Sequence, residues 1–108
     1  MPSYTAPIED IRFLLHDVLK ADELSSLPGY EDMNLELIDT VLEEAAKLAE
    51  NELFPLNQVG DKEGCTYENG VVRTPTGFKE AYNQFREGGW VGLSADPDYG
   101  GQGMPQAV

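Results

Sequence analysis

Few side chains in this chain of 108 residues could carry out chemistry by themselves. Cys65 is the sole cysteine and His16 the sole histidine, so neither a disulfide framework nor a Cys/His zinc site can form within one chain. Glu52 lies on the apolar side of a predicted helix, where a desolvated carboxylate could abstract a proton. Its place in the last turn, beside Pro55, favours a capping or surface role, because water usually reaches such a position. We therefore predict no catalytic residue and no metal site.

The run Tyr99-Gly100-Gly101-Gln102-Gly103-Met104-Pro105 is the most unusual segment, and it has three interpretations. Glycine lets backbone N–H groups approach a phosphate closely, but the run lacks the Lys-Ser/Thr of a Walker loop and the strand that precedes a dinucleotide-binding loop. A turn that needs positive φ at several positions is the favoured interpretation. A loop that faces a ligand cavity shared with another domain is the third.

Two further features have both a chemical and a structural interpretation. The thiol of Cys65 could be reactive, but Lys62 is the only basic residue near it, and a hairpin entrance suits a small packed side chain. The aromatic residues Tyr82, Phe85 and Trp90 could stack on a ligand ring. Their helical spacing is what core packing requires, so we predict that they lie in the core.

The charge of the chain restricts its partners. Its 20 acidic and 7 basic side chains give a formal net charge of -13, which repels phosphates and anionic lipid headgroups. We therefore expect no binding to nucleic acid or to a membrane surface. The first residues show no basic segment followed by an apolar stretch, and no apolar run approaches the length of a membrane span, so we expect a cytoplasmic protein.

Apolar periodicity predicts three helices around one core, at residues 8–20, at 34–54 and after Thr74-Pro75. Pro55 should stop the second helix, whose wide apolar arc predicts at least two neighbours. Residues 21–34 form a connector with one short helical turn. The basic residues of the first helix recur every four positions, and we interpret this stripe as a solvated face: Arg12, His16, Lys20.

A loop at Gly60 to Gly64 and a hairpin should separate the last two helices. The pair Asn69-Gly70 tolerates positive φ at both residues and lies between two β-prone stretches, which predicts a small exposed β-hairpin. The fold class is therefore all-α, a small helical bundle with one short β-hairpin.

Three segments together resemble the N-terminal domain of acyl-CoA dehydrogenases: Thr74 to Tyr82, Gly88 to Leu93 and Asp96 to Pro105. The opening segment, Tyr4 to Leu19, is similar to the short helical extension that precedes this domain in the larger bacterial members of the family.

The resemblance divides the chain into two parts. Residues 1–33 would be the extension and connector, and residues 34–108 an incomplete acyl-CoA dehydrogenase N-terminal helical domain. The helix expected after Pro105 and the flavin-binding sheet of the family are not within this sequence.

The resemblance also implies an enzyme that uses FAD to dehydrogenate acyl-CoA thioesters between their α and β carbons and passes electrons to a separate acceptor. In that family the glutamate that removes the α-proton lies in a C-terminal domain, and no residue of this chain matches it. We therefore expect this segment to be inactive alone and to hold no FAD. The glycine-rich run would line the acyl pocket, with four candidate residues: Tyr99, Gly100, Gly101, Gly103.

An alternative is a free-standing acidic helical module that docks a basic or apolar partner. A carrier domain is a less favoured form of this alternative, because Ser25 and Ser26 lack the Asp that precedes the attachment serine in carrier domains. Under either interpretation, exposure of Trp90, Leu93 and Met104 would favour a homo-oligomer.

Overall fold

The architecture comes from a computed structural model that describes residues 3–108. Met1 and Pro2, which belong to the predicted N-terminal extension, lie outside the described residues. The regular elements are four α-helices and one antiparallel hairpin, which confirms an all-α fold with a short hairpin. Their bounds are α1 Ile8–Arg12, α2 Leu35–Leu48, α3 Phe54–Glu63, β1 Thr66–Glu68, β2 Val71–Arg73 and α4 Phe78–Glu87.

Helix α1 continues as a π-helical segment, Phe13–Val18, instead of ending or remaining α-helical. In this wider winding the N–H of Leu19 donates to the carbonyl of Leu14 at 2.8 Å. Leu15 is buried, whereas Val18 and Leu19 are exposed, so only part of the predicted apolar stripe packs against the core. The π-helical turns shift the register of the later residues and carry them off the buried face.

The junction after α2 differs most from the sequence-based expectation. Asn34 caps α2 by accepting the N–H of Leu37 at 2.8 Å, but Pro55 does not stop the helical path. A π-helical segment, Ala49–Leu53, leads directly into α3, and the loop expected at residues 60–64 is mostly helical. Pro55 lies in the first turn of α3, a position that tolerates proline, directly after the wider π-helical winding.

The N-terminal segment runs antiparallel to α2 and the π-helical segment that follows it. At one end, the N–H of Ala6 donates to Glu50 Oε1 at 2.7 Å, and the Tyr4 ring stacks on Phe54 with centroids 6.0 Å apart. At the other end, Arg12 Nη2 lies 2.6 Å from Glu43 Oε1.

Asp39 is the centre of this contact, which we call the α1–α2 seam. Asp39 Oδ1 lies 3.2 Å from Arg12 Nε and 2.9 Å from His16 Nε2. None of these three buried atoms makes a well-directed hydrogen bond with residues 3–108, so Asp39 forms an ion pair with Arg12 and a close polar contact with His16. Arg12 and His16 thus join two helices, and the predicted solvated basic face is wrong for both.

The hydrophobic core lies at one end of the molecule. Ile38 of α2 is fully buried, and Leu42 of the same helix is buried beside it. The rest of the cluster comes from the N-terminal segment, the connector and the C-terminal tail: Leu15, Ala21, Met33, Met104. No residue of α4 belongs to this cluster, so the expectation that three helices share one core is wrong.

The C-terminal tail covers this core. Met104 is only 8% exposed, and Leu93 packs against the core cluster while Trp90 is partly buried. The expected exposure of these three residues is therefore wrong. The connector that lies beside the tail contains a 3₁₀ helix at Ala21–Ser26, which confirms the predicted helical turn.

Helices α3 and α4 extend away from the core end. The radius of gyration is 17.2 Å, whereas a compact domain of this length has one of about 13 Å. The longest dimension is 54 Å and the shortest is 17 Å. Tyr82 of α4 is 59% exposed, so its predicted place in the core is wrong. The molecule therefore has a packed end and an end with little interior.

The hairpin confirms its prediction in detail. Thr66 pairs with Arg73, and Asn69 and Gly70 have φ of 52° and 79°. Cys65, at its entrance, is exposed and not packed as expected.

The two ends of α4 differ in how well they follow the sequence-based expectation. The helix begins after Gly77, whose φ is 86°, so Thr74 does not cap it. Pro75 is nevertheless buried, and its carbonyl accepts the N–H of Phe78. The helix ends at Glu87, which confirms the predicted stop at Gly88.

The unequal packing predicts unequal losses of stability. Ile38→Ala should lower the free energy of unfolding by about 2–5 kcal/mol, because it leaves a cavity in the core. Tyr82→Ala should cost less than about 1 kcal/mol, because most of that side chain stays in water. Urea unfolding followed by circular dichroism measures both, and equal losses would contradict a core confined to one end.

The seam predicts a second difference, between two carboxylates of α2. Asp39→Ala should cost about 1–2 kcal/mol, because it leaves Arg12 and His16 without their partly buried partner. Glu44→Ala removes only an exposed pair with Lys47 and should cost at most about 0.5 kcal/mol. The same urea titrations apply, and an Asp39 variant as stable as the Glu44 variant would show that the seam contributes little.

Candidate functional site

The glycine-rich turn folds back on its own chain. Five consecutive N–H groups donate within it: Gly100 to Pro97 O at 3.1 Å, Gly101 to Asp96 O at 3.0 Å, Gln102 to Gly92 O at 2.9 Å, Gly103 to Ala95 O at 3.0 Å and Met104 to Leu93 O at 2.9 Å. Asp96 adds a side-chain bond by accepting the N–H of Asp98 at 2.9 Å. These amides are thus occupied, and the phosphate-binding interpretation is wrong for this turn, because a cradle needs free N–H groups.

The glycines of the turn are required for two different reasons. Gly100 and Gly103 have φ of 86° and 69°, a region that other residues rarely adopt. Gly101 is needed for space, since a Cβ there would collide with the backbone carbonyl of Ala95. The interpretation of this run as a turn with several positive-φ residues is confirmed.

A cleft of about 400 Å³ lies between this turn, the connector and α2. Gly103 lines it, whereas Gly100 is exposed and Tyr99, at 89%, is almost fully so. Of the four residues expected to line an acyl pocket, the structure thus places one in a cleft. Tyr99, Gly100 and Gly101 lie outside this cleft, on the adjacent surface of the turn.

The remaining walls of the cleft come from residues that were not among the predicted site residues. The connector supplies Tyr30 and Met33, α2 supplies Leu37 and Val41, and Gln102 provides an amide side chain. Met33 is the informative case, because it lies in the connector, before the predicted second helix. Only the return of the C-terminal tail to the connector makes it part of a cavity wall.

A second concave surface lies between α3 and α4, and we call it the α3–α4 groove. It has a volume of about 420 Å³ and a largely apolar lining: Leu53, Leu56, Asn57, Phe78, Ala81, Tyr82 and Phe85. The two helices meet closely near one end, since a Cβ on Gly60 would lie 2.6 Å from Phe78 Cζ. Phe85, another residue predicted for the core, lines this groove instead.

The titratable groups do not converge at either surface. Glu52 and Cys65 are exposed, and His16 is held in the α1–α2 seam. Within residues 3–108, no three His, Cys, Asp or Glu side chains are placed to hold a metal ion. Near the cleft, hydrogen bonds from its own N–H and from that of Gly29 lower the pKa of Glu31. The arrangement suits packing and binding, and it contains no acid and base pair.

No helix within the described part of the chain combines the length and the apolar character needed to cross a membrane.

The turn itself gives a testable prediction. Gly101→Ala should lower the free energy of unfolding by about 2 kcal/mol, because the added methyl group forces the Ala95 carbonyl to move. Gly100→Ala meets open space and should cost only about 1 kcal/mol of backbone strain. Urea unfolding followed by Trp90 fluorescence compares the two, and a Gly101 variant no weaker than the Gly100 variant would contradict the close approach.

Comparison with known proteins adds independent information. No family model matches the chain. It is similar to the 3-methylmercaptopropionyl-CoA dehydrogenase of Ruegeria pomeroyi, with 36% identity over 106 residues, which is 98% of this chain and 18% of that protein. It is also similar to a broad-specificity linear acyl-CoA dehydrogenase of Mycobacterium tuberculosis, with 28% identity over 110 residues, again 18% of that protein.

The chain thus spans less than a fifth of the length of the curated relatives that it matches. Both relatives align with all or nearly all of it, the connector and the turn included. The resemblance indicated by the three motifs is confirmed, and this chain is similar along its whole length to a segment of acyl-CoA dehydrogenases, consistent with an N-terminal domain of a larger enzyme of that kind.

Proposed function

We propose that this chain is the N-terminal segment of an FAD-dependent acyl-CoA dehydrogenase, an enzyme that introduces a double bond between the α and β carbons of an acyl-CoA thioester. The observation that carries the proposal is the whole-length similarity to two dehydrogenases whose names specify acyl-CoA substrates. The helical fold with one hairpin agrees with the N-terminal domain that the three motifs resemble.

The two proposed parts, residues 1–33 and 34–108, would have different roles in the enzyme, but they would fold as one unit. Leu15 and Met33 from the first part pack in the same core as Ile38 from the second. A shared core means that neither part folds without the other. The extension would therefore hold α2 in place for the domain that follows it.

Within the enzyme, the glycine-rich turn would form part of the wall of the acyl-CoA site. The cleft beside Gly103 is one candidate surface for this wall, and the surface with exposed Tyr99 and Gly100 and partly buried Gly101 is the other. Two observations support this role. Internal hydrogen bonds fix the backbone of the turn, and the Tyr99 ring on it is exposed. A rigid exposed aromatic residue is typical of a contact surface.

The described residues do not fit a flavin-binding role of their own. The backbone N–H groups of the glycine-rich turn already donate to carbonyls of the same chain, so they are not free to bind a pyrophosphate. FAD, and the phosphates of CoA, would accordingly be held by other parts of the enzyme, which agrees with a net charge of -13 here. We propose that the segment alone binds no flavin and is inactive. The separate electron acceptor and the homo-oligomer likewise belong to the whole enzyme in this proposal.

A free-standing acidic interaction module is the second candidate, and the α3–α4 groove is the observation that favours it. An open apolar groove could receive a partner without any enzyme being involved. This alternative predicts that the chain carries out its role alone, whereas the first proposal requires the remainder of a dehydrogenase.

A full-length chimaera distinguishes the two candidates. This chain replaces the matching segment of the Ruegeria pomeroyi relative, and a matched chimaera carries an unrelated helical domain of equal length. We expect the first to retain FAD and to dehydrogenate an acyl-CoA, and the second to lose both. Flavin absorbance and acceptor-dye reduction measure this. Equal flavin content and equal activity in the two chimaeras, or activity of the chain by itself, would refute the proposal.

A further inference from the structure

The tip of the hairpin contains the one asparagine of this chain that a glycine follows, Asn69. Asparagine is among the chemically labile residues of proteins, and its side-chain amide is attacked by the backbone nitrogen of the next residue. Gly70 hinders that attack least, because it has no side chain. Both residues are exposed, and no turn hydrogen bond of the Gly70 N–H occurs within residues 3–108. The two reacting groups are therefore open to water and not held by other contacts.

The conformation of the turn opposes the reaction. The φ angles of 52° at Asn69 and 79° at Gly70, between the paired residues Glu68 and Val71, are typical of a type I′ turn, in which ψ of the first central residue is about +30°. At that ψ, the Asn69 Cβ and the Gly70 nitrogen lie on nearly opposite sides of the Cα–C bond. A five-membered ring needs them on the same side. The closed hairpin thus protects the Asn69 amide, and the reaction requires the turn to open.

Few contacts keep the hairpin closed. Each strand has three residues, and all of them are exposed. A single two-stranded hairpin is only marginally stable in water, and exposed elements open locally at little cost. Outside the strand ladder, Glu63 Oε2 accepts the N–H of Thr76 at 2.8 Å and so joins the two chain segments that flank the hairpin. This hydrogen bond therefore restrains the opening.

We propose that Asn69 is a site of spontaneous deamidation whose rate is set by opening of the hairpin, and that the Glu63–Thr76 hydrogen bond slows it. In the open form the Gly70 nitrogen bonds to Asn69 Cγ, the Cγ–Nδ2 bond breaks, and ammonia leaves with the proton of the Gly70 amide. Water then opens the succinimide ring at one of its two carbonyls, which gives aspartate or isoaspartate at position 69. No oxidant or reductant takes part.

The two products should affect the hairpin differently. Aspartate leaves the backbone unchanged, and Asp-Gly suits the same turn as Asn-Gly. Isoaspartate carries the main chain through its β carbon, which adds one backbone atom to a two-residue loop. Because turn type and loop length fix the register of a hairpin, this product should prevent the pairing of β1 with β2. The modification is therefore an irreversible way to open the hairpin.

Peptide mapping by mass spectrometry tests the role of the turn. The folded chain and the same chain in guanidinium chloride are incubated at one mildly alkaline pH. We expect Asn69 to be the main position converted in both, at a rate at least about fivefold lower in the folded chain, because the closed turn does not react. Exposed Asn51 and Asn57, which precede Glu52 and Gln58, are internal controls and should stay largely intact.

Two results of this comparison would overturn the proposal. Equal rates in the folded and unfolded chains would show that the turn gives no protection. A folded chain that keeps Asn69 intact, while its unfolded form is converted completely, would show that the hairpin does not open.

Variants of Glu63 test the restraint. Glu63→Ala should raise the rate in the folded chain about threefold or more, because the flanks of the hairpin lose a hydrogen bond, and it should leave the rate in guanidinium chloride unchanged. Glu63→Gln keeps an acceptor oxygen and should react nearly as slowly as the unsubstituted chain. Asp61→Ala is the matched control, since Asp61 is an exposed carboxylate of the same helix and Thr76 donates to Glu63 instead. Equal rates in the alanine variants would overturn the proposed restraint.

Hydrogen exchange distinguishes the effects of the two products. After chromatographic separation, the isoaspartate form should exchange the amides of β1 and β2 about tenfold faster than the Asn69→Asp variant. Equal exchange in the two molecules would overturn the proposed loss of pairing.

Discussion

The antiparallel contact between the N-terminal segment and α2 is the interaction on which the remaining structure depends. It combines buried Leu15 and Ile38 with the ion pair between Asp39 and Arg12 and the close contact of Asp39 with His16. Without the N-terminal segment, α2 would expose most of its apolar arc, and the connector and tail would lose the surface on which they pack. The N-terminal segment thus contributes directly to the core.

That contact also concentrates the interior at one end of the molecule. Each Å² of apolar surface that is buried at the core end contributes about 25 cal/mol of stability. Helices α3 and α4, by contrast, leave an open groove between them. The lining of this groove is largely apolar, and Tyr82 on it is 59% exposed.

The glycine-rich turn shows how similar residue patterns serve different ends. Glycine clusters that bind phosphate leave their N–H groups free, but here the amides from Gly100 to Met104 are all used to close the turn. These hydrogen bonds fix the loop so that Met104 packs in the core and Tyr99 lies exposed on the surface.

Local features were set by the sequence itself. Asn69-Gly70 determined the hairpin, Asn34 the start of α2 and Gly88 the end of α4, because each depends on the conformation of only a few neighbouring residues. Only the tertiary structure decided that the helical path continues past Pro55, through π-helical winding. It also decided that Tyr82 is exposed. It also placed Gly103 and Met33 in one cleft. Periodicity shows which face of a helix is apolar, but the element that covers that face is fixed by contacts between distant residues.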